Sequence, residues 1–260
     1  MISIYRDFAM VYDIFMADIP YQSWAGYIDD AFRARGVPGG GLVLDLACGT
    51  GTMAVLMAQK GYDMIAVDNS PAMLSEASAK GAALGILFLE QDMRRLDLFG
   101  TVDGAYCACD GLNYMLTEAD LTAALQKVAM YLNPGGVFIF DLNTEYKYSQ
   151  LGQRTFSDVR GKASYIWKNS FDRQQGINEY HVQFFMNGRN SATFAETHRQ
   201  RAYSTDTVQK CAKKAGLCIV DVWNNYTTAK PAPKSKRLTY IAVPTNSSAA
   251  VSPFGVRTFH

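Results

Sequence analysis

Apolar and polar positions along the chain follow two rhythms that meet near residue 155. Before it, short apolar runs alternate with segments whose apolar residues recur every three or four positions; after it, strand-like segments follow one another directly. Residues 5 to 36 read as two helices, with Pro20 near the start of the second and Gly36 to Gly41 ending it. Phe8, Tyr12 and Phe15 recur at helical spacing, which reads either as a stripe packed on a sheet or as aromatic groups capping a ligand. Leu42 to Leu46 is a short, nearly continuous apolar run, as a buried parallel strand requires, and Gly49 and Gly51 then form a turn that lets the backbone approach a ligand closely.

The alternation continues. A helix over 52–60 leads to a strand over 64–67; Asn69-Ser70-Pro71 caps a helix over 71–83, and strands over 86–89 and 102–108 follow. A helix over 118–131, a sharp turn at Leu132-Asn133-Pro134-Gly135-Gly136 and a strand over 137–140 complete this half. The pattern predicts an α/β fold with a doubly wound, mostly parallel, Rossmann-like sheet. Beyond residue 155, strand-like segments over 163–171, 177–186 and 191–203 form an antiparallel β insertion, with Asn187-Gly188 as the strongest short hairpin signal. A helix over 205–215 returns to the parent fold, and strands over 217–223 and 238–243 close it as a hairpin. The expected organisation is a core of residues 1–154 plus 204–244, with residues 1–40 as a helical cap. An insertion at 155–203 serves as lid or acceptor-binding region, and 245–260 is a flexible tail.

In open α/β sheets ligands lie beyond the carboxyl ends of the strands. Those ends carry Asp68, then Asp92 and Met93, then Cys109 and Asp110, and finally Asp141 and Asn143. A carboxylate at Asp68 can accept hydrogen bonds from both hydroxyls of a ribose; the plainer reading is an acid beside a helix N-terminus.

Composition narrows the partners. The chain is 48% hydrophobic and 19% charged with a net charge of +1, which excludes general disorder and disfavours nucleic acid. Nothing approaches the ~20 apolar residues of a membrane span, and the N-terminus lacks the uninterrupted core of a signal peptide. Cys48, Cys107, Cys109, Cys211 and Cys218 are an odd, scattered set, read as free thiols of a cytoplasmic protein. No compact ligand motif calls for a metal.

With these residues placed, LDLACGTG (44–51), VDNSPAML (67–74), QDMRRLDL (91–98) and LNPGGVFIFDLN (132–143) resemble, in order, the motifs of the class I S-adenosylmethionine-dependent methyltransferases. Tyr12-Asp13, the insertion and the segment from Glu196 to Tyr203 resemble the small-molecule branch of amino-sugar N-methyltransferases and glycine N-methyltransferase-like enzymes. The resemblance implies a seven-stranded sheet, S-adenosyl-L-methionine as cofactor, and methyl transfer to a nitrogen or oxygen of a small acceptor by a monomer or homodimer. It implies Asp45, Ala47, Gly49 and Gly51 around the methionine part, Asp68 on the ribose, and Asn69, Met73, Asp92 and Met93 around the adenine. Cys109 and Asp110 would approach the sulfonium, with Tyr12 or Trp24 closing the site.

Acceptor contacts are expected first from Asn113, Tyr114, Asp141 and Asn143, with Tyr165, Trp167 and Tyr203 as walls. A hydroxyl acceptor calls for a base. If Asn187-Gly188 closes a two-residue hairpin, His181 faces Phe194, Glu179 faces Glu196, and His181 and His198 share one polar face. That face reads as solvated surface, as an acceptor pocket with His181 or His198 as the base, or as a metal site; Asp110, at a strand end whatever the register, is the other catalytic candidate. Two rival functions stand beside the main one. Gly49-Thr-Gly51-Thr-Met-Ala54 with Asp68 about 20 residues on also fits a nicotinamide-dependent oxidoreductase, and the fold can persist in a non-catalytic binding protein.

Overall fold

The computed structural model describes residues 9–186 and 191–245. A central sheet of seven strands is built from β1 (Leu42–Leu46), β2 (Asp63–Asp68), β3 (Leu87–Glu90), β4 (Val102–Cys107), β5 (Leu132–Asn143), β10 (Leu217–Asn224) and β11 (Arg237–Pro244). Their order is β10-β11-β5-β4-β1-β2-β3. The first five run parallel, and β11 is antiparallel to both β5 and β10. The doubly wound, mostly parallel sheet expected from the sequence is the fold.

Alternation along the strands sends side chains to two cores. On one face Leu44, Leu46, Cys107, Phe138 and Phe140 pack with α5 (Glu118–Tyr131) and α7 (Thr205–Lys214). On the other, Val43, Met64, Ala66, Tyr106 and Ile139 pack with α2 (Tyr21–Ala34) and α3 (Thr52–Gln59). Two of the helix starts are fixed by side-chain caps: the Ser70 hydroxyl accepts from Met73 N ahead of α4 (Pro71–Gly81), and Thr117 accepts from Asp120 N ahead of α5.

The insertion is a separate four-stranded sheet, β6 (Thr155–Arg160), β7 (Ala163–Asp172), β8 (Ile177–Met186) and β9 (Ala192–Arg201), paired in that order. Its first strand and the helix before it, α6 (Glu145–Leu151), were not expected from the sequence. Thr144 caps α6 by accepting from Lys147 N at 3.2 Å, so the signal was Asn143-Thr144-Glu145 directly after a strand. The turn expected at 132–136 is instead a bulged start of β5, with Gly135 at φ +85° and a register shift against β4. The first helix, α1, spans Ala9–Phe15. Phe8, the Asn187-Gly188 turn, His260 and nearly all of the expected tail lie outside the described residues.

Candidate active site

Beyond the carboxyl ends of β1 to β4 lies a cavity of about 380 Å³. Asp68, at the end of β2, accepts from Gly49 N and Ser70 N, both at 2.9 Å, so one carboxylate ties the glycine turn to the start of α4. Burial lifts its pKa above the usual carboxylate range, while those N–H groups pull it back. Each oxygen has a further lone pair for a ligand hydroxyl. Asp45 is 1% exposed and accepts from the Tyr106 hydroxyl at 2.9 Å; burial pushes its pKa up to about 7. Gly49 has φ +55°, and a Cβ there would meet nothing within 4 Å. Gly51 differs, because a Cβ would come within 2.9 Å of the Ala77 Cβ, and it does not line the cavity. Its absent side chain lets α3 close on α4.

Ala47, Asn69, Met73, Asp92 and Met93 line this cavity with Asp45, Gly49 and Asp68. The Arg94 guanidinium, with Nε at 3.0 and 3.1 Å from the two oxygens of Asp92, holds that carboxyl below its ordinary pKa. From the N-terminal helices, Tyr12 and Tyr21 reach the cavity. Trp24 does not; it stacks on Tyr226 at 4.4 Å, under the Arg237 guanidinium.

A second cavity of about 310 Å³ meets the first at Tyr12, Cys109 and Tyr114. Phe15, Tyr165, Trp167, Tyr180 and Phe184 wall it, and Asp110, Asn143, Lys147, Gln200 and Arg237 give it polar contacts. Cys109 and Asp110 are both left-handed, at φ +61° and +56°, a conformation costing about 1–2 kcal/mol per residue. Asp110 N donates to Asp141 Oδ2 at 3.0 Å and holds that turn. Gln200 Nε2 and Arg237 Nη2 each donate to Asp110 at 2.7 Å. Burial opposes charge on Asp110, but Arg237 and Lys147 outweigh it and leave its pKa below the usual range. Asp141 takes the other side of Arg237 and the Tyr226 hydroxyl, with burial raising its pKa. Burial likewise lowers Lys147 and pushes the Cys109 thiol up to about 12. The indole Nε1 of Trp167 is buried with no hydrogen-bond partner among the described residues.

The insertion overturns the expected register. His181 lies opposite Thr197, and Tyr180 opposite His198, three residues from the pairing a two-residue turn would impose. An odd shift moves β9 to the other face relative to β8. Pairing starts at Met186 and Ala192, so five residues intervene, and the register instead stacks Phe184 on Phe194 and Tyr180 on His198. The common histidine face therefore does not exist. His181 is exposed and bonded to Thr197 Oγ1, while His198 is fully buried, with Nδ1 3.1 Å from the Tyr114 hydroxyl and Nε2 3.2 Å from Glu196. No cluster of potential metal ligands occurs among the described residues.

Other expected acceptor residues divide. Tyr114, Asn143, Tyr165 and Trp167 line the second cavity. Asn113 is buried, bonded to the backbone of Asn143 and Arg201, and Tyr203 donates to Met115 O and Thr117 O; neither lines either of these two cavities. Asp141 lies beneath Asp110. Sequence reasoning missed Tyr21, Lys147, Gln200 and Arg237. Arg237 opens the last strand after a run of lysines, which read as the basic connection of a hairpin.

A family model described as a methyltransferase domain matches residues 43–136. The Bacillus subtilis (strain 168) protein YqeM, which carries a provisional methyltransferase designation, is 35% identical over 92% of this chain and 96% of its own. A crystal structure of an S-adenosylmethionine-dependent methyltransferase from Clostridium acetobutylicum superposes with a TM-score of 0.83 at 32% identity, over 92% of this chain and 98% of that one. The chain belongs to the S-adenosylmethionine-dependent methyltransferase family, whose cofactor is S-adenosylmethionine. A third relative, the dTDP-3-amino-3,4,6-trideoxy-alpha-D-glucopyranose N,N-dimethyltransferase of Streptomyces venezuelae, is 32% identical over 52% of this chain and 56% of its own. The first cavity fits that cofactor: Asp68 offers carboxylate oxygens to hydroxyls, Asp45 a buried carboxylate to a cation, and Gly49 open space where a side chain would stand.

Proposed function

We propose that this chain transfers a methyl group from S-adenosylmethionine to a nitrogen or oxygen of a small-molecule acceptor bound in the second cavity. The observation that carries the reading is the meeting of two differently built cavities at Tyr12, Cys109 and Tyr114. Asp68 would hold the ribose, Asn69, Met73, Asp92 and Met93 the adenine, and Asp45 the ammonium group of the methionine part. The cofactor supplies an electrophilic methyl carbon on a sulfonium. The chain's task is positioning, which can contribute about 7–11 kcal/mol when two reactants are held in line and away from water.

The insertion over 155–203 forms much of the acceptor wall. Its aromatic faces suit a ring or an ammonium group, and Asp110, kept ionised by Arg237, suits a cationic or hydroxylated acceptor. The Streptomyces venezuelae relative, named for an amino-sugar acceptor, supports a nitrogen nucleophile. We place the enzyme in the cytoplasm, as a monomer or homodimer without nucleic acid, because its five cysteines are free thiols and its net charge is near zero. A screen of small amines, amino sugars and hydroxylated metabolites, read as S-adenosylhomocysteine release, tests the reading. Release that depends on one acceptor class supports it; no acceptor-dependent release from any of them overturns it.

A further inference from the structure

A chain of polar contacts leads from the insertion to the junction of the two cavities. Glu196 Oε2 lies 3.2 Å from His198 Nε2, His198 Nδ1 lies 3.1 Å from the Tyr114 hydroxyl, and Tyr114 lies 2.9 Å from the Tyr180 hydroxyl. His198 is fully buried and the Glu196 side chain is 9% exposed, so this is an interior arrangement and no solvated surface pair. Among its members, Tyr114 faces both cavities and Tyr180 the second alone.

The charges set the direction of the hydrogen bonds. The Glu196 carboxylate approaches Nε2 at an ion-pair distance without hydrogen-bond alignment; its negative charge favours the imidazole tautomer with the proton on Nε2, which leaves Nδ1 as an acceptor. Tyr114 then donates to Nδ1. With the Tyr114 proton directed at Nδ1, the Tyr180 hydroxyl is left to donate to Tyr114 Oη. An orienting acid, an imidazole and a hydroxyl in this order form the arrangement that moves a proton away from a nucleophile.

We infer that Tyr114 is the catalytic group that takes the acceptor's proton, with His198 and Glu196 as positioning residues behind it. This rests on the methyl-transfer reading. As the bond between acceptor nitrogen or oxygen and methyl carbon forms and the carbon–sulfur bond breaks, the acceptor's proton passes to Tyr114 Oη. The phenol's own proton passes to His198 Nδ1, and the imidazolium so formed faces the Glu196 carboxylate. S-adenosylhomocysteine leaves neutral at sulfur, and charge balances.

Nitrogen NMR of the full chain labelled at histidine tests the relay without any acceptor. Only His181, His198 and His260 contribute signals, and variants lacking His181 or His260 assign them. At pH 8 the expected His198 signature is a protonated Nε2 and a bare Nδ1 displaced by an accepted hydrogen bond. Tyr114→Phe should remove that displacement, and Glu196→Gln should abolish the single tautomer. A proton on Nδ1, or on both nitrogens, at pH 8 overturns the relay. On an amine that the wild-type enzyme methylates, Tyr114→Phe should lower kcat about 100-fold or more, and an unchanged kcat overturns the assignment. Calorimetry with S-adenosylhomocysteine on the same variants separates the two failures: normal binding with the wrong tautomer sinks the relay alone, and lost binding in the wild type sinks the methyl-transfer reading.

Discussion

Arg237 and Asp110 form an ion pair of 2.7 Å at the floor of the second cavity, between side chains that are 11% and 17% exposed. The partners are 127 residues apart, one opening the last strand and one following β4. On its other side Arg237 holds Asp141, so one guanidinium is shared between two buried carboxylates.

Removing that cation leaves the two acids to Lys147 and to their neutral hydrogen-bond donors. Arg237→Met should destabilise the fold by about 3–5 kcal/mol, the cost of breaking a buried pair from one side, measured by urea unfolding. A loss below about 1 kcal/mol would mean that solvent or Lys147 already screens the two carboxylates.

Asp45 works in the opposite sense. Its folded pKa, about 7, lies above the unfolded carboxylate value. Its contribution is neutral to folding below pH ~4, turns unfavourable as pH rises, and is fully unfavourable above about 7. Asp45→Asn should therefore raise ligand-free stability at pH 8 by roughly 2–4 kcal/mol and lose that advantage near pH 4. If the ionised form pairs with the cofactor's ammonium, S-adenosylhomocysteine affinity of the wild type should fall toward tenfold per pH unit below about 7. Calorimetry between pH 5.5 and 8 reads this, and a flat profile would remove Asp45 from the binding site.

Much of this was legible in the sequence, for a local reason. Strand ends and glycine turns are contiguous, so Gly49 and Asp68 could be placed at the sheet edge from spacing, while Asp45, Asn69 and Met73 came with the family resemblance. The acceptor side was not legible in that way. Whether His181 or His198 turned inward depended on a register set by a connection three residues longer than its Asn-Gly signal, and one odd step exchanges faces. Arg237 and Lys147 meet Asp110 only through tertiary structure. Tyr12 and Trp24 lie on different helices, and helical phase did not tell which of them reaches the cavity; Tyr12 does, with Tyr21 from α2 in place of Trp24.

Trp167 supplies a further test of the acceptor wall. Its indole N–H is buried without a partner among the described residues, so a bound acceptor carrying an oxygen there would satisfy it. Trp167→Phe should leave stability within about 1 kcal/mol, since no hydrogen bond is lost, and raise the acceptor KM with S-adenosylhomocysteine binding unchanged. An unchanged KM would take Trp167 out of the acceptor site.

Gly111 tests the close packing beneath the turn that joins the cavities. A Cβ there would come within 2.8 Å of Cys107 Sγ and 3.0 Å of the Ala47 Cβ. Gly111→Ala should cost about 1–3 kcal/mol through overpacking and shift Ala47, weakening cofactor affinity; thermal and calorimetric measurements on one preparation read both. Full wild-type stability would contradict the packing.

The central claim is an adenosyl cofactor held by Asp68. Isothermal calorimetry of the wild type and Asp68→Ala with S-adenosylhomocysteine tests it directly, with NAD as the control. The expected result is binding of S-adenosylhomocysteine and not NAD, weakened by about 1.5–3 kcal/mol in the variant. Binding of NAD alone, or affinity unchanged in Asp68→Ala, would contradict it.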